Sequence, residues 1–130
     1  MSWTISDIPR MSGRVVVITG DGEMLMGMGS LATIGVQKPS NLAVVVFDNG
    51  LYGETGMQPS HTSAGIDLAA AAKACRLRVE AVSTLDRADE LRALLHSDDG
   101  PLFIHAKVEA DDQKRIIPSR DGLEIGRAHV

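Results

Sequence analysis

Cysteine is almost absent: Cys75 stands alone among 130 residues. One cysteine excludes an intrachain disulfide and suits a reducing compartment. A basic excess is missing as well. Thirteen Lys and Arg face seventeen Asp and Glu, for a net charge of −4, whereas a surface that tracks nucleic-acid phosphates is rich in positive charge. No nucleic-acid partner is expected. No apolar run approaches the length of a membrane span, and the opening MSWTISDIPRMSG has no apolar stretch of the signal-peptide kind. A cytoplasmic protein with no membrane partner is therefore expected. Repeats, low-complexity tracts and linkers are also lacking, so residues 1–130 read as a single domain with one core.

What is present is an alternation of short β-branched runs and helical segments. Val15–Thr19 and Leu42–Phe47 read as buried strands, the first covered on both faces as in a parallel sheet. Between them, Met24–Val36 is apolar almost all round and predicts one helix enclosed on several sides. Its cover is either its own sheet or a partner subunit. Gly27 and Gly29 within it cost about 1 kcal/mol each relative to Ala. Gly50 to Gly65 predicts a long loop of the functional or mobile kind. Asp67 suits the N-cap of a helix over Leu68–Cys75. Arg78–Val82 predicts a third strand. Ser83 or Thr84 then caps a helix over Arg87–His96, with Leu91, Leu94 and Leu95 on one stripe. Leu102–Val108 predicts a fourth strand of alternating pattern, and Leu123–Ala128 a short last helix. Strands alternating with helices predict a doubly wound α/β fold, a mostly parallel sheet with helices on both faces.

Two polar turns close the first two strands, Gly20-Asp21-Gly22 and Asp48-Asn49-Gly50. In a parallel sheet they fall at one edge, where open α/β sheets bind ligands. Asp21 and Asn49 then face one crevice although 28 positions separate them. A carboxylate, an amide oxygen and a nearby backbone carbonyl form a hard oxygen set. Mg²⁺ suits it, because that ion takes one or two protein carboxylates, keeps water and accepts substrate phosphates. The Gly22 and Glu23 amides, at a helix start, can donate to those phosphates. The competing motifs fit less well. No Lys-Ser or Lys-Thr follows the glycines as a P-loop requires. A dinucleotide fingerprint needs a third glycine three positions after Gly22, and here the next is Gly27.

Gly20-Asp21-Gly22, the spacer and the Asn-bearing turn together resemble the diphosphate-binding motif of thiamine-diphosphate enzymes. The wider text, SLATIG at Ser30–Gly35 and FDNGLYGETGMQ at Phe47–Gln58, is most similar to the diphosphate-binding (PP) domain or subunit of sulfopyruvate and phosphonopyruvate decarboxylases. The likeness covers about Val15–Cys75. It implies thiamine diphosphate and Mg²⁺ as cofactors, with Asp21, Asn49 and the Leu51 carbonyl as metal ligands. It also implies a PP fold shortened at its N-terminal side, because the family has a further strand and helix before the Gly-Asp-Gly strand. The family's catalytic glutamate lies in a separate pyrimidine-binding domain, so no catalytic residue is assigned in this chain. A pyrimidine-binding partner or a homo-oligomer, and a small 2-oxo acid substrate, are the partners the resemblance implies. Asp48 stands for the first Asn of the usual Asn-Asn pair and is expected to shape the turn. Glu23 stands where a small residue is common, and its carboxylate must point away from a diphosphate.

Other readings remain open at this stage. Asp21 and Asn49 are also ordinary turn residues. Tyr52 either lines the site or packs its loop. His61 either meets a substrate acid group or sits on the surface. The chain as a whole is either a decarboxylase component or a diverged, non-catalytic PP module in oligomerisation or regulation. A small nucleotide binder using Asp48 on a ribose is a weaker third option.

Overall fold

The computed structural model describes residues 13–83, 88–97 and 99–110. Four parallel strands form its sheet: β1 (Val15–Gly20), β2 (Leu42–Asp48), β5 (Arg78–Val82) and β6 (Leu102–Lys107), in the order β1-β2-β6-β5. Between β2 and β5 the chain makes a two-stranded antiparallel ribbon, β3 (Leu51–Tyr52) and β4 (Gln58–Pro59), joined through a 3₁₀ turn at Gly53–Thr55. Helices α1 (Asp21–Met26), α2 (Gly29–Gln37), α3 (Leu68–Ala74) and α4 (Ala88–Leu95) make the connections.

The expected doubly wound sheet is observed. Val44 and Val46 of β2 and Phe103 of β6 pack on Met24, Leu31, Leu68 and Ala72 from α1, α2 and α3. The alternate residues Ala43, Val45, Leu102 and Ile104 meet Leu91, Leu94 and Leu95 of α4 on the other face. The chain moves one way from β1 to β2 to β5 with its helices on one face, then steps back to β6 through α4 on the opposite face. Right-handed crossovers require that change of face when direction reverses. Each fully buried Leu, Phe or Ile contributes about 1.5–3 kcal/mol.

Three expectations are corrected. The segment Met24–Val36 is not one helix. Helix α1 starts at Asp21 and ends at Gly27, whose N–H closes on the Glu23 carbonyl. The Ser30 amide and hydroxyl both return to the Gly27 carbonyl and start α2. The glycine supplies the joint between the two pieces. Strand β1 is not covered on both faces either. It lies at the sheet edge, and Val16, Val17 and Ile18 are exposed, Ile18 to 68%. Met26 and Val36 are exposed as well. Strand β6, read as alternating, is instead buried on both faces from Leu102 to Ala106, because it runs between β2 and β5. The Asp67 cap is present, its carboxylate accepting from the Ala70 N–H at 2.9 Å. The expected Leu123–Ala128 helix and the Thr84 cap lie outside the described residues.

Two close joints hold the layers. At Gly35, an added Cβ would lie 1.8 Å from the Cys75 carbonyl oxygen, so α2 meets the end of α3 backbone to backbone. At the C-terminal edge, Asp48 is 1% exposed and ties β2 to β6. Its Oδ2 accepts from His105 Nε2 at 2.7 Å and Lys107 Nζ at 2.6 Å. Its Oδ1 accepts from the Gly50 N–H at 3.0 Å and lies 2.8 Å from Thr62 Oγ1. Burial by itself raises the Asp48 carboxyl. Lys107, His105 and Thr62 outweigh it and hold the group below the usual carboxylate value.

Gly35→Ala is expected to cost about 1–3 kcal/mol, the usual penalty of overpacking, read by urea denaturation of the ligand-free chain; an unchanged midpoint would mean that the helices part freely. Asp48→Asn is expected to cost about 2 kcal/mol near neutral pH, the scale of hydrogen bonds to a charged group. The sign with pH is fixed by the lowered value. The contribution is complete above the unfolded carboxyl value of about 3.9 and is lost as pH falls through the lower folded value. Denaturation midpoints of wild type and Asp48→Asn should therefore converge in acid.

Candidate diphosphate and cation site

Strand β1 runs into α1 with no intervening loop. Gly20 keeps extended backbone and Asp21 is already the first helical residue, so the expected Gly-Asp-Gly turn is a strand-to-helix junction. The junction leaves the first amides of α1, those of Gly22 and Glu23 among them, without partners inside the helix. Glu23 turns back on the junction. Its carboxylate accepts from Thr19 Oγ1 at 2.9 Å and from the Gly20 N–H at 3.2 Å. Those two bonds, Thr19 first, lower its carboxyl from the ordinary value. The Glu23 carboxylate is thus engaged with the junction, although Glu23 also lines the cavity described below.

The second turn is built from two overlapping side-chain turns. Asp48 Oδ1 accepts from the Gly50 N–H, and Asn49 Oδ1 accepts from the Leu51 N–H at 2.9 Å. Short acids and amides favour this geometry. Gly50 has φ +72, a left-handed conformation open to glycine at no steric cost. The expectation that Asp48 shapes this turn agrees with its bond to Gly50. Its three further partners were not anticipated.

Asp21 is 2% exposed. Its Oδ2 accepts from the Ser60 hydroxyl and lies 3.0 Å from Thr62 Oγ1. Its Oδ1 has no hydrogen-bond partner among the described residues. Tyr52 lies across the junction. A Cβ on Gly22 would come within 2.6 Å of Tyr52 Cδ1, so the ring needs glycine there. The Tyr52 hydroxyl is 2.9 Å from His61 Nδ1, with the rings edge to face.

A cavity of about 460 Å³ opens between the two turns. All seven expected cofactor residues line it: Gly20, Asp21, Gly22, Glu23, Asn49, Leu51 and Tyr52. Glu54 and Thr55 close one side, while Met26, Phe47 and Val108 add apolar wall. His61 lies outside this cavity, in a shallower one behind Tyr52. Among the described residues no three His, Cys, Asp or Glu side chains gather into a metal cage. The oxygen set here holds one carboxylate with an open oxygen, one amide and a backbone carbonyl, which is the type Mg²⁺ takes when phosphates and water complete its shell.

Sequence reasoning missed Ser60 and Thr62 as partners of Asp21. It also missed His105 and Lys107 as partners of Asp48. His105 and Lys107 are two apart on β6 and so share a face. That spacing was visible, but the register that sets Asp48 beside Lys107 was not.

Comparison with known proteins places the chain in a family. The family model described as thiamine pyrophosphate enzyme, C-terminal TPP binding domain, matches residues 7–106. A phosphonopyruvate decarboxylase of Streptomyces viridochromogenes is 44% identical over 95 residues, 72% of this chain and 24% of that protein. The sulfopyruvate decarboxylase subunit beta of Methanocaldococcus jannaschii is 44% identical over 73 residues, 56% of this chain and 39% of that subunit. Its counterpart in Methanothermobacter thermautotrophicus is 37% identical over 112 residues, 86% of this chain and 58% of that subunit. The chain thus spans less than two thirds of the length of each of these relatives. With a parallel sheet, a Gly-Asp-Gly junction and a family match over most of its length, the chain belongs to the thiamine pyrophosphate enzymes, as a C-terminal TPP-binding domain like that of the sulfopyruvate and phosphonopyruvate decarboxylases.

Proposed function

We propose that the chain binds thiamine diphosphate with Mg²⁺ and serves as the diphosphate-binding part of a decarboxylase for a small acidic 2-oxo acid. The observation that carries this reading is the buried Asp21, with one oxygen held and one open, facing the same cavity as Asn49 and Leu51. Asp21, the Asn49 amide oxygen and the Leu51 carbonyl would hold the cation. The Gly22 and Glu23 amides would donate to the diphosphate. Capping by Thr19 and Gly20 keeps the Glu23 carboxylate engaged beside them. When bound, thiamine diphosphate itself supplies the chemistry of decarboxylation. This chain's share is to anchor and orient it.

The partner follows from the same division of labour. Relatives are named as subunit beta of sulfopyruvate decarboxylase, and none of the side chains around this cavity is assigned to the cofactor's pyrimidine ring. We infer that a pyrimidine-binding subunit or domain completes the site, in the cytoplasm. A second reading, a non-catalytic PP module that works in assembly, is favoured by one observation: the exposed apolar Val16, Val17, Ile18, Met26 and Val36.

Titration calorimetry separates the two. Thiamine diphosphate with Mg²⁺ is expected to bind the chain together with its pyrimidine-binding partner, and excess EDTA to abolish the heat. Asp21→Ala is expected to weaken binding by at least about 10- to 100-fold, the loss seen even when groups that only orient metal ligands are removed. A stable complex that ignores the cofactor with and without Asp21 would leave only the assembly reading.

A further inference from the structure

We propose that Thr62, with Ser60, positions the cation-binding carboxylate and couples it to the Asp48 bracket; this rests on the cofactor reading above. Neither residue lines the cavity, and both are buried, Ser60 at 2% and Thr62 at 8% exposure. Thr62 Oγ1 lies at hydrogen-bond distance from three oxygens: Ser60 Oγ at 2.8 Å, Asp21 Oδ2 at 3.0 Å and Asp48 Oδ1 at 2.8 Å. A hydroxyl carries one proton. Thr62 therefore donates to Asp21 or to Asp48, never to both.

That single proton gives the loop two jobs. Ser60 and Thr62 both address Oδ2 of Asp21, which fixes the carboxylate's rotation and leaves Oδ1 as the oxygen for the cation. A cation on Oδ1 draws off the carboxylate's charge and makes Oδ2 a poorer acceptor. The Thr62 proton then goes to Asp48, which His105 and Lys107 already hold. Asn49, the other side-chain ligand, follows Asp48 in the chain, so both arms of the site are braced through one hydroxyl. Burial gives the arrangement its weight, because a buried carboxylate short of a donor is costly. Thr62 touches neither cofactor nor metal, so it acts as a positioning residue.

The test uses the full protein with its pyrimidine-binding partner and compares Thr62→Val, which keeps the shape and loses the hydroxyl, with Thr62→Ser, which keeps the hydroxyl. Calorimetry with thiamine diphosphate and Mg²⁺ is expected to show Thr62→Val weaker by about 10- to 100-fold, the usual effect of groups that orient metal ligands. Thr62→Ser is expected to restore wild-type affinity. Should Thr62→Val fail to fold, Ser60→Ala removes the other donor to the same oxygen and is expected to show the same loss. Equal affinity in the folded variants would overturn the proposal. A wild-type protein that ignores the cofactor would instead sink the reading it rests on. The bracing is still read in that case, by denaturing the ligand-free chain. Asp21→Asn and Asp48→Asn are expected to be non-additive with Thr62 present and additive in Thr62→Val. Additivity in both backgrounds counts against the coupling.

Discussion

Two carboxylates buried at one edge of a parallel sheet set the terms for the rest of this structure. Asp21 and Asp48 are almost wholly shut off from solvent, and a buried carboxylate must find donors inside the protein. The donors come from far apart in the chain. Ser60 and Thr62 arrive from beyond the β3–β4 ribbon, Gly50 from the turn after β2, and His105 and Lys107 from β6. Satisfying the two acids therefore requires the β1–α1 junction, the end of β2, the long connection and β6 to meet at one place. The apolar layers above and below the sheet set its thickness, but this polar knot fixes which chain segments converge.

Much of this was legible in the amino-acid order. The two β-branched runs named the neighbouring strands β1 and β2, and parallel topology then put Asp21 and Asn49 at one edge without any contact having to be guessed. The stripe of Leu91, Leu94 and Leu95 likewise named the face of α4 that meets the sheet. Other features depend on information no local pattern holds. A run such as Val15–Thr19 looks the same whether its neighbours are present or not, so its place at the edge was hidden. Gly27 reads as a weak point in a helix but not as its end. The bonds to Asp48 span 57 and 59 positions and depend on strand register, which a sequence of short β-branched segments does not specify. Ser60 and Thr62 flank a histidine that drew attention for its own chemistry, and their hydroxyls proved to be the buried pair.

Most polar groups at the two turns are engaged within the protein. Three titratable groups near the two turns hold other protein groups: Glu23 the junction, Asp48 β6, and His61 Tyr52. The cavity beside them offers one open carboxylate oxygen of Asp21, Asn49, Glu54, Thr55, backbone groups and an apolar wall. Gly22 belongs to the same design, since Tyr52 closes on the junction only because no side chain stands there.

The exposed edge strand has a consequence for handling the chain. Strand β1 presents a free backbone edge among the described residues, flanked by Val16, Val17 and Ile18. A β-branched edge without charge or proline is a template for adding strands from any neighbour. In a concentrated preparation, such an edge is where a second copy of the chain would add its own strand. Solubility would then track whether the preparation holds something that fits β1.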